Sequence, residues 1–134
     1  MKILAIETSC DETSLAIVEA SGGLAAPKFK VLKHELASQV KIHRPFGGVV
    51  PMLAKREHEK NLPILLKKLL NSKFYILNSI DLIAVTVGPG LEPALWAGIE
   101  FAKALAKKHN RPLVGANHLE GHLASVLLAP EAAR

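Results

Sequence analysis

Two short apolar runs, Ile3-Leu4-Ala5-Ile6 and Leu15-Ala16-Ile17-Val18, enclose one polar segment, Glu7-Thr8-Ser9-Cys10-Asp11-Glu12-Thr13-Ser14. β-forming runs interrupted by turn-forming residues predict a hairpin whose loop carries the polar segment. Ser21-Gly22-Gly23 supplies a second turn, and a third run through Val31, Leu32 and Leu36 continues the meander towards Ser38 and Gln39. Three consecutive antiparallel strands are the simplest reading.

The remainder changes period. Val40 to Val50 contains Pro45, Gly47 and Gly48 without a clear repeat and reads as a loop. From Pro51 onward, Leu62, Leu65, Leu66, Leu69 and Leu70 recur at the spacing of one helical face, with Pro63 as a point of kinking or restart. Asp81 to Val87 is apolar on both faces, as an inner strand of a covered sheet would be, and Gly88-Pro89-Gly90 ends it. A helix carrying Leu95, Gly98, Ala102 and Leu105 on one side follows, stopped by Arg111-Pro112. Leu113 to Ala116 is a further strand, and a last helix starts at Asn117. The order of three strands, helix, strand, helix, strand, helix predicts an α/β lobe with a mixed sheet flanked by helices.

Length and composition narrow the partners. At 134 residues and 49% hydrophobic, the chain suits one domain with one core. No apolar run reaches bilayer length and no signal-like segment opens the chain, so a cytoplasmic location without membrane contact is expected. The single cysteine, Cys10, excludes an internal disulfide and a cysteine-rich zinc module. A net charge of +5 is compatible with nucleic acid, but the basic residues fall on helical patterns and only 4% of residues are aromatic, which favours a solvated face over a base-stacking footprint.

The sharpest chemical feature is Asn117-His118-Leu119-Glu120-Gly121-His122. Asn117 followed three residues later by Glu120 resembles a capping box, which places His118 and His122 in the first turns of the helix. Four residues rotate by about 40° net, so both imidazoles share a face and can bind one ion. The helix amino terminus disfavours imidazolium, as a metal requires. A zinc-protease reading fails on register, because Leu119 stands where that motif has its glutamate. Two histidines are too few for a catalytic site, so a third ligand is needed. Asp11, Glu12, His43 and His58 are the local candidates, and a segment beyond the chain is the alternative.

Two loops could meet an anion. Thr8 to Ser14 offers hydroxyls and backbone amides to a phosphate, with Asp11 or Glu12 able to position a proton or a metal-bound water. Gly88-Pro89-Gly90 forms a tight turn before a helix whose amides could face an anion. No phosphate-loop Lys-Ser or Lys-Thr pair follows it, which excludes a Walker-type nucleotide site.

Taken together, Ile6 to Thr13, Gly47-Gly48-Val49-Val50-Pro51, Gly88-Pro89-Gly90-Leu91 and His118-Leu119-Glu120-Gly121-His122 resemble the universal tRNA adenosine threonylcarbamoyltransferase family, in that family's order and over essentially the whole chain. The resemblance implies the actin-like fold of ribonuclease H, sugar kinases and heat-shock ATPases, with residues 1–134 as a single amino-terminal lobe of a two-lobed enzyme. It implies transfer of threonylcarbamoyl from threonylcarbamoyl-AMP to the tRNA adenosine beside the anticodon. His118 and His122 match metal ligands, for iron or zinc, completed by an aspartate of a second lobe. Asp11 and Glu12 match the acidic pair of the family's first loop, which implies a catalytic or substrate-positioning role, while Thr8, Ser9, Gly88, Pro89 and Gly90 of the two loops are the candidate substrate-binding residues. An adenine nucleotide and protein partners of a tRNA modification complex are further implied ligands.

Met52 and Lys55-Arg56 depart from the family pattern, and Trp96 reads as a packing residue. The chain is shorter than the family, so a fragment, inactive alone, or one half of a split enzyme is expected. The competing reading is a non-catalytic lobe that only dimerises within the modification complex. A small-molecule phosphotransferase would rest on fold analogy alone.

Overall fold

In the computed structural model, which describes residues 1–70 and 75–127, five strands form one mixed sheet in the order β3-β2-β1-β4-β5. β1 (Lys2–Glu7) pairs antiparallel with β2 (Glu12–Ser21), which pairs antiparallel with β3 (Lys28–Ser38). On its other side β1 runs parallel to β4 (Leu82–Gly88), and β4 runs parallel to β5 (Leu113–Asn117). The meander and the two later strands therefore stand as the sequence predicts. The first hairpin is tighter than expected: its turn is Thr8 to Asp11, while Glu12, Thr13 and Ser14 already belong to β2.

Alternation in β1 and β2 decides which face is covered. Leu4, Ile6, Leu15 and Ile17 point to one side and are buried under two long helices, α2 (Pro51–Leu70) and α4 (Glu92–His109). Leu62, Leu65 and Leu69 of α2 and Ala102 of α4 complete that core, with Ile83 and Val85 of β4 beneath them. Pro63 lies inside α2, and the helix spans it in a single element. The stretch read as a loop contains a short helix, α1 (Val40–His43), and one turn of 3-10 helix, Arg44–Phe46, before α2 begins on Pro51. The turn α3 (Tyr75–Asn78) precedes β4.

The opposite face of the sheet carries small residues, Ala5, Ala16, Ala84 and Ala116, which line a shallow hollow with Glu7, Ser14 and Thr86. On β4, Ile83 and Val85 are buried beneath the helices, whereas on the other face Leu82 and Ala84 are only partly buried, with Thr86 buried at the strand's end. This differs from the sequence expectation of an inner strand covered on both sides. Trp96 also differs from its expected packing role, being 48% exposed on α4 beside Lys55 and Glu59. Among the described residues, no helix is long and apolar enough to cross a membrane.

β1, β4 and β5 are parallel, so their carboxyl ends meet at one edge of the sheet. Such an edge is where open α/β sheets place their ligands. Glu7, Gly88 and Asn117 are the last residues of these three strands, and the last helix, α5 (His118–Ala124), starts directly from β5.

Candidate functional site

α5 begins where the sequence predicts because Asn117 caps it. Its side-chain oxygen accepts the amides of Leu119 at 2.9 Å and Glu120 at 3.1 Å. That cap fixes His118 in the first turn, over the end of β1. There the proton on His118 Nδ1 lies between Glu7 Oε2 at 3.3 Å and Ser9 Oγ at 3.2 Å. A carboxylate can only accept, so the His118 proton sits on Nδ1 and its Nε2 keeps a lone pair. His122, one turn later, brings its own Nε2 to 3.1 Å from His118 Nε2, with the two rings nearly perpendicular.

This separation fits a shared ion. A transition metal about 2.0–2.1 Å from each of two nitrogens holds them about 3.0 Å apart at a right angle and about 3.4 Å apart at the tetrahedral angle. Glu7 behind His118 supplies the carboxylate that metal-bound imidazoles commonly carry on their second nitrogen. Among the described residues, no group of three or more His, Cys, Asp or Glu side chains gathers around one position. His118 and His122 are therefore a pair, and a complete ligand set requires a donor from outside them.

Glu7 is the residue that sequence reasoning missed. Burial works to raise its pKa, but hydrogen bonds from Ser9, Thr86 and His118 outweigh burial and hold the carboxyl below the ordinary range. Thr86 Oγ1 donates to Oε2 at 2.5 Å, and the Ser9 amide donates to Oε1 at 2.5 Å. The available signal was positional: Glu7 is the last residue of an apolar strand, where a charge gains nothing from the core.

The acidic pair divides. Asp11 stays in the turn and lines a cleft of about 430 Å³ with His43, Arg44, Gly47, Gly48 and Val49. Glu12 is the first residue of β2, opposite Ser38, and is exposed. Asp11 and Glu12, together with burial, push the pKa of the Cys10 thiol up, burial being the larger cause, so the exposed cysteine stays protonated.

Thr8 is wholly buried and its hydroxyl donates to the Ala94 carbonyl at 2.8 Å, which ties the turn to α4. Gly98 is the residue that permits this approach, since a Cβ there would stand 2.3 Å from Thr8 Oγ1. Gly88-Pro89-Gly90 packs on the same turn. The Leu91 amide donates to the Ser9 carbonyl at 2.8 Å, and a Cβ on Gly90 would stand 2.7 Å from that oxygen. Thus Thr8, Ser9 and the Gly88–Gly90 turn form one packed unit next to His118.

His43 and His58, considered from sequence as a third ligand, are buried and have both ring nitrogens engaged. His58 Nε2 meets the Cys10 carbonyl at 2.9 Å and its Nδ1 meets Thr13 Oγ1 at 2.8 Å. His43 Nε2 meets Gln39 Oε1 at 2.8 Å, while its Nδ1 accepts the Val50 amide at 3.2 Å. Neither ring has a nitrogen left for an ion, and that expectation is corrected.

The family model for TsaD, tRNA N6-adenosine threonylcarbamoyltransferase, matches residues 30–133. The chain belongs to this family. A curated tRNA N6-adenosine threonylcarbamoyltransferase from Thermosipho melanesiensis is 49% identical over 123 residues, covering 92% of this chain and 35% of the relative. The Fervidobacterium nodosum transferase is 50% identical over 129 residues, covering 96% of this chain and 36% of the relative. The chain thus spans about a third of the length of these curated family members.

Solved structures confirm the fold alone. YeaZ from Pseudomonas aeruginosa superposes with a TM-score of 0.58 at 22% identity, covering 87% of this chain and 43% of that one. Thermus thermophilus RuvC in complex with a Holliday junction substrate gives 0.57 at 14% identity, covering 92% and 70%. The mixed sheet and its flanking helices are the actin-like, ribonuclease H-like fold expected of the threonylcarbamoyltransferase family.

Proposed function

We propose that this chain is the amino-terminal lobe of a two-lobed tRNA adenosine threonylcarbamoyltransferase acting in the cytoplasm, and that it supplies two metal ligands and one wall of the cleft. The observation that carries the reading is the convergence of His118 Nε2 and His122 Nε2 beside a Glu7 that already orients the first ring. A decorative histidine pair needs no half-buried carboxylate behind it.

In this reading His118 and His122 hold one divalent iron or zinc ion, completed by an aspartate of the second lobe. Such an ion supplies Lewis acidity towards the oxygens of threonylcarbamoyl-AMP. The chain's own residues do the rest. Glu7 and Ser9 orient His118. Asp11, at the lip of its cleft, accepts the proton that the tRNA adenosine amine loses as the carbamoyl carbon–nitrogen bond forms and AMP departs. Glu12, exposed at the start of β2, is a weaker candidate for the same role. The Gly88–Gly90 turn, packed on Ser9, closes one side of the site towards the adenylate.

The competing reading, a lobe that only docks within the modification complex, accounts for the apolar groove between α2 and α4 lined by Pro63, Leu66, Leu70, Phe101 and Leu105. It gives no role to the Glu7–Ser9–His118 arrangement. The test has two arms. Transition-metal content is measured for the purified chain and for a His118→Ala, His122→Ala variant, and threonylcarbamoyl transfer to tRNA is measured with the intact gene product. Metal retained by the double variant, or transfer that survives it, would overturn the proposal.

A further inference from the structure

Three consecutive carbonyls of the Ser9–Asp11 turn are each held by a different element. Ser9 O accepts the Leu91 amide at 2.8 Å, Cys10 O accepts His58 Nε2 at 2.9 Å, and Asp11 O accepts the Gln39 amide at 2.9 Å. Two of these donors are backbone groups. The middle one is a side chain that crosses from α2, wholly buried and 48 residues away in sequence.

The proton arrangement behind His58 is fixed from both ends. Val50 N–H can only donate, so His43 Nδ1 accepts and the His43 proton is on Nε2. That proton goes to Gln39 Oε1 at 2.8 Å, which turns the Gln39 amide nitrogen towards His58 Nδ1 at 3.3 Å. His58 Nδ1 therefore accepts, from Gln39 and from the Thr13 hydroxyl, and its proton is on Nε2 facing Cys10 O. The carbonyl at this far end demands the same arrangement. A chain with a donor-only start and an acceptor-only finish has one low-energy state, and it couples the Gly47–Val50 stretch to the turn.

We propose that His58 is a positioning residue that sets the Ser9–Asp11 turn against the His43–Val49 wall, and with it Ser9 under His118 and Asp11 at its cleft. This deepens the transferase reading and rests on it for its functional consequence. The cleft lined by Asp11 on one side and His43, Arg44, Gly47, Gly48 and Val49 on the other is the space whose width the relay governs. A histidine that served the core alone would have no reason to end on a carbonyl of the turn.

The test compares His58→Leu, which removes donor and acceptor, with His58→Gln, whose amide N–H reaches towards the place of Nε2. Amide resonances of Ser9, Cys10 and Asp11 and the ring resonances of His118 are recorded on the full chain, and kcat and KM for threonylcarbamoyl transfer on the intact gene product. The expected result is that His58→Leu shifts all four residues and lowers kcat at least about 10-fold with little change in KM for tRNA, and that His58→Gln restores most of both. Displacements confined to α2 and the core, with the turn and kcat unchanged, would overturn the proposal. Should His58→Leu fail to fold, Thr13→Val, which takes one hydrogen bond from His58 Nδ1, decides by the same resonances: a shifted turn supports positioning and an unmoved turn overturns it. Wild-type protein that transfers nothing refutes the transferase reading alone, because the resonance comparison still judges His58.

Discussion

The chain contains two histidine pairs built on opposite principles. His43 and His58 lie in the interior, and every ring nitrogen has a partner from the turn, from β2, from Gln39 or from the backbone of Val50. His118 and His122 lie at the surface end of the sheet, with one nitrogen of His118 held by Glu7 and Ser9 while the two Nε2 atoms face each other. A saturated pair fixes structure, because a buried polar group without a partner costs more than a typical hydrogen bond gains. A pair with converging, lightly engaged nitrogens retains the capacity to bind. The difference shows that residue type and spacing do not assign a histidine its role; the partners of its second nitrogen do.

The largest expected effect falls on the outer pair. Replacing His118 and His122 with alanine should lower affinity for Zn2+ or Fe2+ by more than about 100-fold, measured by calorimetric titration, since removal of ligands exceeds the usual cost of removing their supports. The same double variant should change the stability of the metal-free chain by only about 0.5–1 kcal/mol, because His122 is exposed and few contacts depend on it. The inner pair should behave in reverse. His58→Leu strands the Thr13 hydroxyl and the Cys10 carbonyl and leaves the Gln39 amide with the Ala54 carbonyl alone, and should cost about 2–4 kcal/mol in urea unfolding. If the outer double variant proved the more destabilising of the two, the contrast between the pairs would collapse.

The periodic parts of this contrast were legible in the sequence. The strand meander, the switch to helical spacing after Pro51, the Asn117 cap and the shared face of His118 and His122 all follow from local patterns, and each stands in the structure. Long-range pairing was not legible. Glu7 and His118 are 111 residues apart and meet only because β1, β4 and β5 end at one edge of the sheet. His58 and Cys10 meet because α2 lies across the hairpin, so His58 looked like a free candidate ligand when it is a buried donor. The turn itself was overestimated, since Glu12 to Ser14 are polar yet extended: Thr13 faces the buried His58 and Ser14 bonds His34 across to β3. Polarity marks a loop only when the residues cannot find partners inside a sheet.

A smaller effect separates the proposed ligands from their support. Glu7→Gln keeps the shape of the side chain and an oxygen for His118, but removes the charge that makes its imidazole a stronger donor. Metal affinity should fall about 10- to 100-fold, less than for loss of the rings themselves, and Ser9→Ala should cost less again because its hydroxyl shares the same proton with Glu7. Calorimetric titration of the three variants side by side checks the order. A Ser9→Ala loss as large as that of Glu7→Gln would mean that the hydroxyl, not the carboxylate, orients the ring.

The smallest expected effect is in the pH dependence of folding, and it divides the two regions in sequence. Burial, the leading cause, lowers the pKa of His58, so the folded chain binds fewer protons there than the unfolded chain does. Stability from that difference is fully present above the unfolded value of about 6.5 and is lost as pH falls below it towards the folded value. Glu7 has the same sign lower down: its depressed pKa gives stability present above about 4.3 and lost as pH falls through the folded value. Acid should therefore loosen the inner relay first and the outer support second. In urea midpoints measured from pH 7.5 to 3.5, His58→Gln should erase the upper decline and leave the lower one, whereas Glu7→Gln should do the opposite. An upper decline that survives in His58→Gln would assign it to another group and remove the inner pair from the acid response.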